Sequence, residues 1–271
     1  MRIRVRYDTV YRYERPLRSA IQHLRLEPRA HDAQRVSRWR VRVDGPGRLR
    51  KGEDAHGNVL HTLYLSDPVD RLRIHAEGEV ETTDTAGVLA GAPEPFAPAV
   101  FLRETPLTAA DDALRAMAQA AAERAGSGRL AQLHELLRSV AERIRFDVGG
   151  TGPSTTAAQA LEGGHGVCQD MAHAFIAAAR RLGAPSRYVS GHLLRPETER
   201  QDAGHAWAEA HVEGLGWVGF DPANRRSPTE AYLRVACGPD SLSATPIRGV
   251  RLGGGAEVMT VDLSVTSPQK L

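Results

Sequence analysis

Between residues 85 and 108 the hydrophobic period of this chain changes, and no single layer of secondary structure can satisfy both halves. Before the break, apolar and polar residues alternate. Ile3, Val5 and Tyr7 interleave with Arg2, Arg4 and Arg6, and Val41 and Val43 with Arg40 and Arg42. A period of two sends one set to each face of a strand. Segments 2–13, 36–43, 58–65 and 71–83 read as strands on this pattern. Turn signals at Asp44-Gly45-Pro46-Gly47, His56-Gly57-Asn58 and Ser66-Asp67-Pro68 separate them. Only 18–24 suggests a helix, and a short one. Residues 1–85 are therefore expected to form a β-rich domain.

Residues 86–107 carry Gly87, Gly91, Pro93, Pro95, Pro98 and Pro106 among alanines, which predicts a linker or a stretched crossing segment. Beyond it the period becomes helical. One helix is expected to open at Thr108 and run to about Arg124, with Asp111 and Asp112 in its first turn, where the dipole favours acids. A second fits 129–145, with Leu133, Leu136, Leu137, Val140 and Ile144 on one face. A short one fits Ala157–Leu161. A strong one begins near Cys168, where Ala172, Phe175, Ile176, Ala179 and Leu182 keep the spacing of a buried face. Gly183 closes it. Strand candidates follow at 187–194, 206–212, 216–220 and 258–265. Helices followed by strands give an α+β fold, with 108–271 as the second domain.

Residues 1–51 hold 15 Lys and Arg against 5 Asp and Glu, a surplus that raises the question of nucleic acid. The alternation answers it, because these arginines fall on the solvent face of half-buried strands, and no nucleic-acid partner is expected. Only Lys51 and Lys270 are lysine, which marks a compositional bias rather than a site. No apolar run approaches the roughly 20 residues of a membrane helix. The N-terminus lacks the apolar stretch of a signal peptide, so a cytoplasmic protein with no membrane partner is expected. Two cysteines, Cys168 and Cys237, are too few for a disulfide framework.

Cys168 sits at a helix N-terminus, where unpaired N–H groups and the dipole favour a thiolate. Gly163, Gly164 and Gly166 before it permit a tight entry. A buried small hydrophobe is the competing use of such a residue. Downstream, His205-Ala206-Trp207-Ala208-Glu209-Ala210-His211 has a smooth alanine face that can lie on the cysteine helix. Its other face is polar and aromatic and can line a cleft, or His205 can turn towards the thiol and take its proton. Asp221, after the next strand in Trp217-Val218-Gly219-Phe220-Asp221-Pro222, can orient that imidazole. The order Cys, His, Asp, with members 37 and 16 residues apart, makes the set informative.

Gly166-Val167-Cys168-Gln169-Asp170-Met171-Ala172-His173 resembles the nucleophile motif of the bacterial transglutaminase-like superfamily. So do His205-Ala206-Trp207-Ala208-Glu209 and Gly216-Trp217-Val218-Gly219-Phe220-Asp221-Pro222-Ala223-Asn224 for the two later motifs. Thr155-Thr156-Ala157 and Arg187-Tyr188-Val189-Ser190-Gly191 extend the likeness upstream. His23 to Arg29 and Asp54 to Asn58 resemble the β-rich domain that accompanies this core in bacteria.

The resemblance implies a papain-like core of helices packed on an antiparallel sheet. Within it Cys168 is nucleophile, His205 general base then acid, and Asp221 orienter. The implied chemistry is acyl transfer on a peptide or protein amide through a thioester, released by water or by an amine, with no cofactor. The chain departs from the family at His192, where tyrosine is frequent, and at Gly238-Pro239-Asp240-Ser241, where Gly-Arg-Asp-Tyr is usual. Asp170 reads as a cap, and Trp207 and Trp217 are the candidate substrate contacts.

Two other functions compete. A metal site would draw on His165, Cys168, His173, His192, His205 or His211, but zinc needs three or four converging ligands. On a helix His173 points about 140° away from the thiol, so no metal is expected. A catalytically silent peptide-binding module would keep the fold, although this chain retains all three triad residues. An open cleft favours water over an amine. Nothing in the sequence indicates an oligomeric state.

Overall fold

The computed structural model describes residues 1–267. The first, eight-stranded sheet takes five strands from the start of the chain: β1 (Arg2–Leu24), β2 (Gln34–Asp44), β3 (Arg48–Glu53), β4 (Val59–Leu65) and β5 (Val69–Thr82). All four alternating segments fall almost wholly within them. Strand β3 escapes a pattern reading because five of its six residues are exposed and it follows no alternation. Residues 18–24, expected as a short helix, are instead the second half of β1. That half is paired on both edges, with β4 from Ala20↔Leu65 and with a C-terminal strand from Ser19↔Leu252. Tertiary pairing overrides local preference there.

The basic surplus is met within the sheet. Arg4 and Arg38 flank Glu79 on its exposed face, donating to its carboxylate at 2.8 and 2.6 Å. Arg2 and Arg35 flank Glu81 in the same way, at 3.2 and 2.8 Å. Solvent screens such exposed pairs, so they contribute little to stability.

The second layer holds α1 (Asp112–Ala125), α2 (Arg129–Arg143), α3 (Ala157–Gly163) and α4 (Cys168–Arg181). The strands β6 (Ser186–Leu193), β7 (His205–Val212), β8 (Gly216–Phe220) and β9 (Tyr232–Gly238) follow. They form an antiparallel sheet in the order β9-β6-β7-β8. Helix α1 opens at Asp111 rather than Thr108, because the Asp111 carboxylate accepts the Leu114 N–H at 2.9 Å. Ala206, Ala208 and Ala210 of β7 share one buried cluster with Ala172, Phe175, Ile176 and Ala179 of α4. Small side chains on both elements let helix and sheet approach closely. No helix among the described residues is long and apolar enough to cross a membrane.

Two expected boundaries differ in the structure. Residues 86–107 are not a free linker. Val88 and Leu89 pair with Val218 and Trp217, and a 3₁₀ turn at Pro98–Leu102 buries Phe101 edge-on to Trp217, centroids 5.3 Å apart. Nor does the second unit run to 271. After α5 (Ser241–Ala244), the strands β10 (Ile247–Gly253) and β11 (Glu257–Thr266) return to the first sheet and pair with β1. Strand β1 spans 23 residues and offers edges along its whole length. Leu263 and Val265 then complete a buried cluster with Ile3, Val5 and Val80 of the first sheet and Leu233 and Val235 of β9. Topologically, the helical core is an insertion into the β-rich unit. Lys270 lies outside the described residues.

The two sheets meet along the free edge of β9. Gln34 bonds both backbone groups of Arg234 through its side-chain amide, each at 2.8 Å. Behind this seam Glu209 accepts from Arg187 at 2.6 Å and from Arg234 at 2.8 Å, and Glu94 accepts from Arg187 at 2.7 Å. Burial alone would raise the Glu209 carboxyl, but the two guanidinium groups hold it down at about 2.

Candidate active site

The turn into α4 is set by glycines and one acid. Gly164 ends α3 with φ of 65°, in the left-handed region that favours glycine. A Cβ on Gly166 would fall 2.8 Å from the Asp170 side chain. Asp170 is fully buried, and its Oδ2 accepts the Val167 N–H at 2.8 Å and the Thr151 hydroxyl at 2.6 Å. It therefore caps the helix and fixes the entry that presents Cys168 as the first residue of α4.

His205 opens β7, and Asp221 follows the end of β8. The antiparallel register Ala208↔Phe220 brings them together. His205 Nε2 donates to Asp221 Oδ2 at 2.6 Å, which leaves Nδ1 for a second partner. Cys168 and the imidazole border the same cavity. Burial opposes the charged ring, but the bonds to Asp221 and Cys168 and the Asp221 charge outweigh it and lift His205 to about 9. Burial likewise opposes the Asp221 carboxylate, and the bonds from His205, Asn224 and Tyr232 win, holding it below its ordinary value.

Two of those partners carried no role in the sequence reading. Asn224 donates to Asp221 Oδ2 at 2.7 Å and lies 3.3 Å from His205 Nε2. Its signal was present as the Asp-Pro-Ala-Asn run, a turn in which Asp221 Oδ1 also accepts the Asn224 N–H at 3.3 Å. The Tyr232 hydroxyl donates to Asp221 Oδ2 at 2.7 Å. No local pattern announces it, since an irregular stretch separates the two.

A cavity of about 380 Å³ opens over Cys168. The core side contributes Val167, Tyr188 and His192, and the first sheet contributes Tyr7, Leu26, Met259 and Val261. His192 is 7% exposed, and its Nδ1 has no hydrogen-bond partner among the described residues. Burial, with the nearby His205 charge, pushes it down to about 4, so the ring is neutral.

The two tryptophans expected as substrate contacts are not on this lining. Trp207 is 2% exposed and stacks behind His205, centroids 6.1 Å apart and planes at 28°. Trp217 is 4% exposed, with Phe101 edge-on to it and the Arg187 guanidinium 3.9 Å above its ring. Of the polar face of β7 only His205 borders this cavity; Trp207 packs edge-on to Tyr232, Glu209 is held by Arg187 and Arg234, and His211 lies against Trp217. His173 is turned into the core, where its Nε2 accepts the Ser241 N–H at 3.1 Å. Among the described residues, no cluster of three or more His, Cys, Asp or Glu side chains is arranged to hold a metal ion.

Comparison with known proteins agrees with this architecture. Residues 3–81 match the bacterial transglutaminase-like N-terminal region, and residues 115–222 match the transglutaminase-like superfamily. An uncharacterized protein of Mycobacterium leprae is 30% identical over 285 residues, covering 98% of each chain. One from Mycobacterium tuberculosis is 30% identical over 296 residues, covering 97% of this chain and 91% of that one. A candidate cysteine protease from Cytophaga hutchinsonii superposes with a TM-score of 0.76 at 18% identity, over 100% of this chain and 91% of its own. That likeness extends the shared fold across both sheets. The chain belongs to the transglutaminase-like superfamily and carries, ahead of that core, the bacterial transglutaminase-like N-terminal region.

Proposed function

We propose that this protein performs cysteine-dependent acyl transfer on a peptide or amide substrate. The observation that supports the reading is the Asp221 carboxylate holding the His205 imidazole at 2.6 Å on the cavity that Cys168 also borders. His205 takes the thiol proton, and the sulfur adds to the substrate carbonyl carbon. The resulting oxyanion can lie against the Cys168 backbone N–H at the start of α4. Collapse expels the amine, which receives the proton from the His205 imidazolium, and leaves a thioester on Cys168. Water or a second amine then attacks with His205 again as base, releasing the acyl group and restoring the thiol. Asp221 keeps Nε2 occupied and stabilises the charged ring throughout. Cys168 is half-buried and borders the open cavity, which favours water as the second nucleophile.

The test is acid quenching of the protein during turnover of a peptide library, with and without added amine, followed by intact-mass analysis. An acyl adduct on the wild type that is absent from Cys168→Ala is expected, with hydrolysed product dominant. Turnover surviving in Cys168→Ala would overturn the mechanism. Dominant amine adducts would overturn the preference for water.

A further inference from the structure

The wall facing Cys168 belongs to the first sheet rather than to the core that holds the triad. Tyr7 lies on β1, Leu26 just beyond it, and Met259 and Val261 on β11. Opposite them stand Val167, Tyr188 and Val235, with Pro246 nearby. The lining is therefore apolar on both sides, and its volume falls within the roughly 300–1,000 Å³ of small-ligand sites.

Charge inside this space is already spent. Arg25 touches the cavity, but its Nε donates to Asp54 at 2.6 Å. Ser190 donates its hydroxyl to the Ala244 carbonyl at 2.7 Å. Asp202 is the one unpaired acid on the lining and is exposed at the rim. His192 is kept neutral by its burial. An ionised group buried between the two walls would lose its water, with Asp202 offering a counter-charge to a cation only from its exposed position, which is costly. An apolar one would gain from burial against both walls.

Resting on the acyl-transfer reading above, we propose that the cleft selects an acyl donor with an uncharged, apolar side chain at the reacting carbonyl, and that the first sheet supplies the selecting wall. The β-rich unit is thereby part of the enzyme's specificity and not only a scaffold. Its contact with substrate is made by Met259 and Val261 from one side and by Leu26 and Tyr7 from the other.

Three peptidyl chloromethyl ketones, alike except for Leu, Glu or Lys next to the reactive carbon, test this on the full chain. Each alkylates the thiol with loss of chloride, and intact mass reports the rate. Iodoacetamide, too small to need the cavity, gives the reference rate for each variant. The Leu probe is expected to react about tenfold or more faster than either charged probe after this normalisation. Met259→Glu places a carboxylate on the wall at a position already 55% exposed, so the fold tolerates it. It should cut the normalised Leu rate severalfold. Equal normalised rates for the three probes, or an unchanged Leu rate in Met259→Glu, would overturn the selectivity while leaving the nucleophile in place. An iodoacetamide rate at Cys168 no faster than at an ordinary thiol, or an enhanced rate that is unchanged in His205→Ala, would instead bring down the catalytic reading and this proposal with it.

Discussion

Asn58 grips the backbone of Cys237 from both sides. Its Nδ2 donates to the Cys237 carbonyl and its Oδ1 accepts the Cys237 N–H, both at 2.8 Å. Gln34 does the same to Arg234, three residues earlier. Outward-facing backbone groups on a regular strand recur every second residue. The spacing of three is made possible by the irregularity in β9 between Arg234 and Ala236. Two side-chain amides thus stand in for a neighbouring strand along this edge of β9, while Arg200 and Gln201 pair main chain to main chain with Ser264 and Leu263 elsewhere.

Asn58→Ala is expected to leave both groups of Cys237 buried and unpaired, at about 1–3 kcal/mol each. Urea unfolding should show the loss as a lower midpoint. A shift below about 0.5 kcal/mol, the usual scale of surface substitutions, would mean that the seam does not depend on this contact.

Tyr232→Phe keeps the ring edge-on to Trp207, centroids 5.4 Å apart, and removes only the hydroxyl bonded to Asp221. The expected result is a fall of about tenfold in kcat, equivalent to about 1.4 kcal/mol, with KM unchanged. Steady-state kinetics checks it. A Phe variant with wild-type kcat would assign Tyr232 to packing alone.

Asp221→Asn removes the charge that helps hold His205 at about 9. The imidazole should return towards its ordinary value of about 6.5, so the alkaline limb of the pH–rate profile should move down in pH. The folded-state value is raised, so the associated stabilisation is complete below about 6.5 and is lost as pH rises through about 9. Thermal unfolding between pH 6 and 10 should therefore fall more steeply in the wild type than in Asp221→Asn. Parallel curves would refute the coupling.

Glu209→Gln leaves the Arg234 guanidinium without its carboxylate and Arg187 with Glu94 alone, and about 3 kcal/mol of stability should go with it. Because the Glu209 carboxyl is held down at about 2, its contribution is present above the ordinary carboxylate range of about 4.3 and drains away as pH falls towards 2. Acid unfolding monitored by circular dichroism should show a smaller pH dependence below pH 4 in the variant.

The sequence made the triad legible because each member sits at an element boundary with its own local signal: a helix start, a strand start and a strand end. The strands of the first sheet were legible for the same reason, their alternation being written in neighbouring residues. What escaped depends on partners far along the chain. Strand β11 was visible as a segment, but nothing within 258–265 says that it pairs with residues 4–13 rather than with β9. Residues 18–24 misled because their burial is imposed by strands on both sides. Trp207 and Trp217 could be placed on strands, yet which face would be covered depends on Gln34, Phe101 and Arg187, each remote in sequence. Tyr232 reaches Asp221 only through a loop in which Arg225 adopts a φ of 56°, a conformation no sequence pattern marks.

The return of β11 to β1 also sets an order of assembly. A ribosome delivers Cys168, His205 and Asp221 well before Met259 and Val261, so the proposed nucleophile is synthesised ahead of one side of its cleft. The long loop that must close to bring residue 266 beside residue 4 is among the slower kinds of folding step. On the emerging polypeptide the proposed nucleophile thus precedes the wall proposed to select its substrate, and under that reading completion of the last strand turns exposed chemistry into selective chemistry.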